Sequence, residues 1–189
     1  MAREALLEYN QLQPTHEKLP RIARSIRCRP PPVGLLKVNF DGAFFAEENI
    51  AGLGIIIYNE SRLVMAALTQ QILLPASIEM VEVLTTRQAL WFAKELGFHS
   101  LIFEGDSKII INSINGNKMA QPEFGHILQD IKFLSSFFSC ISFHHIRRQG
   151  NYLAHKLARR AVPNPLDVWM ESVSPDTIDV YNFDLQFIT

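Results

Sequence analysis

Two aspartates lie where predicted strands end, Asp41 in the stretch NFDGAFF and Asp106 in the stretch FEGDS. If these strands are neighbours in a mixed sheet, both carboxylates come to the edge where open α/β sheets bind ligands. Taken singly, each residue has a simpler interpretation. Asp41 is typical of an Asp-Gly turn, and Asp106 is typical of a residue that caps the following helix.

A third carboxylate, Glu82, lies on a predicted helix. At about 100° per residue it shares one face with Thr86, Ala89, Ala93 and Leu96, which are small or apolar. A carboxylate packed on that face costs several kcal/mol unless it is paired or binds a metal ion. The alternative is a partly exposed glutamate near the helix start, where the helix dipole favours negative charge.

A histidine, His155, lies on the last predicted helix, in the stretch NYLAHKLARRA. It falls about 130° from the centre of that helix's apolar side, so it either faces a cleft or is an ordinary surface histidine.

Three carboxylates on three different elements suit hard divalent cations, since Mg²⁺ takes oxygen ligands and keeps several waters. Two such ions about 4 Å apart can activate a water and stabilise the leaving oxygen in phosphodiester hydrolysis. The sequence contains no P-loop, GxGxxG or Ser-His-Asp spacing that would favour another chemistry.

The elements that must position these side chains follow the order βββ-α-β-α-α-β-α, as hydrophobic periodicity indicates. Short connections predict an antiparallel meander for the first three strands, and strands separated by helices pair in parallel. We therefore expect an α/β fold with a mixed five-stranded sheet, three antiparallel strands followed by two parallel ones, flanked by helices. The predicted strands are 35–40, 51–59, 62–73, 100–105 and 140–147; the predicted helices are 77–96, 107–115, 122–138 and 151–162.

Charge and proline divide the chain of 189 residues into three predicted parts. Residues 1–32 form a basic, proline-containing extension, residues 33–162 a near-neutral domain, and residues 163–189 an acidic tail without Lys or Arg. The near-neutral domain argues against strong non-specific nucleic-acid binding, which needs many phosphate contacts. Five basic residues nevertheless cluster between positions 147 and 160, either as a solvated face or as the basic edge of a site.

The bulk properties also limit location and partners. No apolar run reaches membrane-span length, and the first residues lack the apolar segment of a signal peptide. The two cysteines, Cys28 and Cys140, lie far apart and form neither a metal motif nor a disulfide framework. These features predict an intracellular protein with no membrane partner, and they do not separate nucleus from cytoplasm.

Four motifs follow one another along the chain on the predicted elements: VNFDGAF, VEVLTTRQAL, FEGDS and HIRRQGNYLAHKLA. Together they resemble the ribonuclease H-like domains, and in particular the plant retrotransposon-derived, reverse-transcriptase-like type. The resemblance covers residues 35–162 and includes the order of strands and helices.

The resemblance implies a metal-dependent endonuclease that hydrolyses the RNA strand of RNA–DNA hybrids. It assigns metal-ligand roles to Asp41, Glu82 and Asp106, and it places the fourth ligand, usually Asp in well-known members, at His155. The implied cofactors are two Mg²⁺ ions, or Mn²⁺ in their place. His145 matches a loop histidine that assists proton transfer and product release.

For the nucleic acid, the resemblance implies contacts from Arg147, Arg148, Lys108 and Asn151, with Asn151 also holding its own segment in place. This sequence departs from the family pattern at a position that contacts substrate. The stretch SIEM carries Glu79 where the family often has an amide side chain. The alternative function is therefore a catalytically weak or inactive nucleic-acid-binding or interaction module derived from a retroelement. A monomer is expected for either function.

Overall fold

One mixed sheet of six strands forms the centre of the computed structural model, which describes residues 30–116 and 122–185. Its spatial order is β5-β4-β1-β2-β3-β6. Strands β1, β4 and β5 run parallel, whereas β2, β3 and β6 pair antiparallel with their neighbours. The mixed α/β fold expected from the sequence is thus confirmed. The strands are β1 Leu36–Phe45, β2 Ile50–Tyr58, β3 Val64–Leu73, β4 Ser100–Gly105, β5 Cys140–His145 and β6 Leu166–Met170.

Five α-helices accompany the sheet in the described ranges: α1 Ile78–Glu95, α2 Lys108–Ile114, α3 Gly125–Ser135, α4 Tyr152–Arg159 and α5 Ile178–Leu185. Helix α1 begins at Ser77, whose hydroxyl accepts a hydrogen bond from the Met80 backbone N–H. This bond satisfies one of the donors that a helix start leaves unpaired. The helix ends before Gly97, which has a φ of +73° that suits glycine.

Hydrophobic cores lie on both faces of the sheet. On one face, Phe40 of β1 belongs to a buried cluster with Leu90 of α1 and Ile131 of α3. On the other, Ile56 of β2 packs in a separate cluster with Leu157 of α4. The sheet therefore lies between α1 and α3 on one side and α4 on the other.

The sixth strand, β6, corrects the expectation of five strands and lies in the segment predicted to be an acidic tail. It pairs antiparallel with β3, and its side chains alternate between exposed and half-buried. The half-buried side includes Trp169, over which the guanidinium of Arg160 lies 5.4 Å from the ring centroid. Arg160 also forms ion pairs with Asp167 and Asp176. The sequence did not predict this short edge strand, because its segment is net negative and follows two prolines, features that are typical of an unstructured tail.

Strand β1 is longer than predicted, so Asp41 lies inside it rather than at its end. Antiparallel pairing with β2 continues through Asp41, opposite Gly54, to Phe45. Parallel pairing with β4 stops at Phe40, opposite Gly105. Asp41 is therefore paired on one side only, and its other side faces the space beyond the end of β4.

Glycines in β2 allow α4 to lie directly on the sheet. A Cβ atom at Gly54 would come within 2.2 Å of the Ala154 carbonyl oxygen, and one at Gly52 within 2.0 Å of the Ala158 carbonyl oxygen. These contacts involve helix backbone, which cannot rotate away as a side chain can. Glycine within a strand often marks a bulge or the close approach of another backbone, and at these two positions the structure contains the close approach.

Gly54→Ala is expected to lower the free energy of unfolding by roughly 2 kcal/mol or more, because overpacking against backbone forces α4 away from the sheet. Chemical denaturation of the two proteins measures the difference. Gly125→Ala is the matched control, since a Cβ there meets nothing within 4 Å. Equal stability of Gly54→Ala and the control would contradict the close packing of α4.

Two of the predicted parts of the chain lie partly outside the described residues. Residues 1–29 make up nearly all of the predicted basic extension, and residues 186–189 end the predicted acidic tail. Among the helices that the structure does describe, none combines the length and the apolar character needed to cross a membrane.

Candidate active site

Three carboxylates from three elements converge beside the end of β4. Asp41 lies in β1, Glu82 in α1, and Asp106 directly after β4. One oxygen from each lies within 4.8 Å of the others. Asp41 is 3% exposed and Glu82 is 7% exposed, while Asp106 is half-buried. The sequence prediction that these three side chains meet is therefore matched by their positions.

The strand register explains why the aspartates meet. Phe40 and Gly105 are the last residues that pair β1 with β4, and each aspartate follows one of them. Glu82 approaches from α1 because Gly42 leaves room for that helix. A Cβ atom at Gly42 would lie 2.6 Å from a methyl carbon of Val81.

Burial and mutual repulsion disfavour the charged forms of these carboxylates. Desolvation by burial, followed by the charges of Glu82 and Asp106, raises the pKa of Asp41 to about 9. Burial, followed by the charge of Asp106, raises the pKa of Glu82 to about 8, although a hydrogen bond from the Gly42 backbone N–H opposes this. The positive charge of Arg148 partly offsets both shifts. Without a cation, the cluster stores repulsion that a bound cation would remove.

The residues present fit a divalent cation. Glu82 Oε2 is buried and has no hydrogen-bond partner in the structure. An unpaired buried oxygen is costly, and it lies in a cluster of carboxylate oxygens, the ligand type that Mg²⁺ and Mn²⁺ prefer. Asp41, Glu82 and Asp106 together could hold such an ion.

His155 lies against Asp41 rather than within the group of three carboxylates. Its Nδ1 is 2.7 Å from Asp41 Oδ2, and when Asp41 is a charged carboxylate the ring in its Nδ1–H tautomer donates this hydrogen bond. The Arg148 guanidinium packs on the same ring, with one nitrogen 3.3 Å from Nδ1 and 3.2 Å from Nε2. Burial and then the positive charge of Arg148 lower the pKa of His155. The ring is therefore neutral over most of the physiological range.

A buried polar network fixes the start of α4 and hence the position of His155. The Asn151 side-chain amide donates to the Phe40 carbonyl oxygen at 2.8 Å. Asn39, on the same face of β1 as Asp41, donates to Asn151 Oδ1 at 3.2 Å and to Glu104 Oε2 at 3.3 Å. Asn151 is 1% exposed, so it holds its segment, as expected, but its side chain faces protein rather than nucleic acid.

The remaining predicted residues lie around the site. His145 ends β5, with Nε2 3.1 Å from the backbone oxygen of Asp106. Arg148 lines the cleft, whereas Arg147 and Lys108 are exposed outside its lining.

The cleft over the carboxylates has a volume of about 410 Å³ and includes a residue that the sequence analysis did not assign. Arg159, at the end of α4, lines this cleft together with His155, and its guanidinium lies 5.4 Å from the ring centroid of Phe45. The signal was present in the sequence, since residues four apart on a helix share a face. Glu79 also lines the cleft and adds a negative charge to its lining.

Residues 39–161 match the model of the reverse transcriptase-like family, which is well over half of the chain. The chain belongs to this family. The matched segment contains all three clustered carboxylates as well as His155 and Arg159. The ribonuclease H-like domain expected from the four motifs is thus confirmed.

Several of the solved structures similar to this reverse transcriptase-like domain are named as ribonucleases H. RNase H1 from Halobacterium salinarum is 24% identical, with a TM-score of 0.64, and the match covers 69% of this chain and 99% of that one. The N-terminal RNase H domain of a Mycobacterium tuberculosis protein is 23% identical, with a TM-score of 0.62 and coverages of 68% and 94%. LC11-RNase H1 from compost, solved in complex with an RNA/DNA hybrid, is 19% identical, with a TM-score of 0.62 and coverages of 68% and 96%. At these identities the likeness shows the fold. No curated protein matches the chain.

Proposed function

We propose that this domain is a divalent-metal-dependent endonuclease that hydrolyses the RNA strand of RNA–DNA hybrids. The observation that carries the proposal is the convergence of Asp41, Glu82 and Asp106, with a buried Glu82 oxygen that lacks a protein partner. Family membership supports a nuclease, and the neighbour solved with an RNA/DNA hybrid supports this substrate class.

In the proposed reaction, the three carboxylates would hold Mg²⁺ or Mn²⁺, and such an ion would supply positive charge and make a water molecule more acidic. A water oxygen would add to phosphorus and release one proton to solvent, while the bond from phosphorus to the leaving oxygen breaks and that oxygen takes up a proton from solvent. His155 keeps the Asp41 carboxylate oriented through its Nδ1–H, and Asn151 keeps α4 in register with β1. Arginines on the cleft rim attract the phosphate. His145, exposed at the end of β5, is placed to exchange protons with solvent.

A cleavage assay on labelled RNA–DNA hybrid, with Mg²⁺, with Mn²⁺ and with chelator, tests the proposal. We expect cutting of the RNA strand that requires the ion, while the DNA strand and free single strands remain intact, because the 2′-OH distinguishes RNA from DNA. Metal-independent cutting, or equal cutting of a DNA duplex, would contradict it.

A second candidate function is a non-catalytic nucleic-acid-binding or interaction module. Glu79 favours it, because a carboxylate in the cleft lining repels phosphate. The same hybrid separates the two functions, since a module of this kind binds it without cutting. Glu79→Gln provides a further measurement, as tighter hybrid binding by this variant would show that Glu79 weakens access to the cleft.

His155→Ala is expected to lower the hybrid cleavage rate by roughly tenfold or more, because Asp41 loses the donor that orients it. The free energy of unfolding should change by about 1 kcal/mol or less, since the ring is at the cleft rather than in the core. His126→Ala, on an exposed histidine of α3, is the control.

The pH profile gives a second measurement of the same change. Because the pKa of His155 is lowered from its ordinary 6.5, the neutral ring persists below that pH. Any loss of wild-type activity through protonation of His155 should therefore occur at a pH below 6.5. The cleavage rate of His155→Ala should not show this decrease at acidic pH. If the Ala variant cut the hybrid as fast as wild type at every pH, His155 would have no role in orienting Asp41.

A further inference from the structure

The cleft over the carboxylates has two unlike walls. Helices α1 and α4 lie on opposite faces of the sheet, and residues from both sides line the cleft. The wall on the α4 side, called the basic wall, consists of Arg148, His155 and Arg159. The wall on the α1 side, called the α1 wall, consists of Phe44, Ile78, Glu79 and Ile109. Among the described residues that line the cleft, arginines occur only on the basic wall and lysines on neither.

Three elements build the α1 wall. Ile78 and Glu79 are the first residues of α1, and Ile109 lies in the first turn of α2, which contacts α1. Phe44 is two residues after Gly42 in β1, so its side chain lies on the strand face that α1 covers. The apolar side chains of this wall are 60% exposed at Ile78, 47% at Ile109 and 38% at Phe44. They are therefore accessible to a molecule bound in the cleft.

The charges of the two walls determine how an RNA–DNA hybrid would lie in the cleft. Its phosphates would face the basic wall, since phosphate contacts are made by arginine and lysine. Its sugars and base edges would then face the α1 wall. An A-form duplex has a major groove too deep and narrow for side chains to read, whereas its minor groove is wide and shallow. The α1 wall would therefore meet the minor groove beside the phosphate at the carboxylates.

Glu79 is the member of the α1 wall that can form hydrogen bonds through its side chain. In residues 30–116 and 122–185, no hydrogen bond or ion pair engages its carboxylate. After burial and the charge of Asp106, the charge of Glu79 also raises the pKa of Glu82, so Glu79 lies near the candidate metal ligands. Its carboxylate oxygens are thus available to a substrate group next to the reacting phosphate.

A carboxylate accepts hydrogen bonds but cannot donate one. In the minor groove, base pairs of adenine present only acceptors, whereas guanine adds the N2 amino group as a donor. Glu79 would therefore repel the edge of an adenine pair and bind the edge of a guanine pair. Ser107, a further polar residue of the cleft lining, has a hydroxyl that donates or accepts, so it adds no such preference.

We propose that Glu79 is a specificity-determining residue, which selects hybrids that carry a guanine amino group in the minor groove beside the phosphate to be cut. The inference rests on the proposed function for its substrate class. The carboxylate of Glu79 weakens binding of nucleic acid in general through its repulsion of phosphate. It restores part of that binding where a guanine amino group donates to it.

Inosine tests the preference, because it lacks the amino group of guanine and keeps the rest of the base. Two labelled hybrids of the same sequence, one with guanine and one with inosine, are bound to the full-length chain in chelator. Low salt is used, since it strengthens phosphate contacts. We expect the inosine hybrid to bind roughly tenfold more weakly, the effect of losing one charge-assisted hydrogen bond. Equal binding would overturn the proposal and leave the 2′-OH, which both hybrids share, as the partner of Glu79.

Glu79→Gln separates the carboxylate from differences in duplex stability. An amide both donates and accepts, so this variant should bind the two hybrids nearly equally, with the larger gain in affinity for the inosine hybrid. The matched control is Glu95→Gln, the same substitution on an exposed residue of α1 outside the cleft lining, and it should keep the wild-type difference. If Glu79→Gln kept the full difference, another group would recognise guanine and the proposal would be wrong.

The positions of the cuts test the same preference during the reaction. In Mg²⁺, wild type should cut a hybrid with few guanines mainly beside them, and Glu79→Gln should cut it more evenly. Replacing one adenine by 2,6-diaminopurine adds the amino group to an adenine pair and should create a new preferred cut. Guanine-dependent binding without any cutting would remove the proposed hydrolysis and support the role of Glu79. Cutting without a guanine preference would support the hydrolysis and overturn this role.

Discussion

Asp41→Asn is expected to reduce hybrid cleavage by roughly 100-fold or more, since the ion loses the most buried of its three charged ligands. The amide keeps the shape of the side chain but also presents an N–H₂ group to a site built for cations. Mn²⁺ binding should weaken in parallel. Cleavage rates of purified wild-type and variant protein on labelled hybrid, at saturating Mg²⁺, measure the effect.

Loss of activity in Asp41→Asn should not come from unfolding. Burial raises the pKa of Asp41 to about 9, so the charged form destabilises the metal-free fold, and a neutral amide removes that cost. The matched control is Asp130→Asn, an exposed aspartate on α3 that pairs with Arg87 far from the cleft. Equal cleavage by wild type and Asp41→Asn would point to a contaminating nuclease and would refute the site.

Glu82→Gln is expected to stabilise the metal-free protein at alkaline pH. The pKa of Glu82 is raised from 4.5 to about 8 by burial and by Asp106, while in the unfolded chain it has its ordinary value. Between those two values the folded state binds more protons than the unfolded state, so stability falls as pH rises. Asp41 and Glu79 add negative charge around it, and Arg148 opposes them.

The measurement is the free energy of unfolding from pH 5 to pH 9 in chelator, for wild type and Glu82→Gln. Wild type should lose stability steadily across this window, and the variant should lose less, with a difference of a few kcal/mol near pH 9. Added Mg²⁺ should restore wild type at high pH and act less on the variant. Parallel pH curves for the two proteins would mean that Glu82 is neither strained nor part of an ion site.

The sequence by itself determined the order of strands and helices between residues 33 and 162 and identified the three carboxylates. Period-two and period-3.6 patterns are local, and β4 was predicted at the residues it occupies, Ser100–Gly105. Glu82 was identified because its helix face is otherwise small and apolar, and burial of its neighbours on that face, such as Ala89, agrees with this. The four motifs then placed His155 beside the same site. Such features depend on neighbours along the chain, so they can be recognised without coordinates.

Only the tertiary structure decided how strands and side chains are partnered. Strand β6 forms because β3 offers an open edge, which an acidic sequence with two prolines does not reveal. Asp41 lies inside β1 because pairing with β2 continues after pairing with β4 has stopped. The ring of His155 binds Asp41 and carries Arg148, and Arg159 reaches the cleft over Phe45. These contacts join residues that are mostly distant in sequence, and their geometry depends on how closely α4 packs on the glycines of β2.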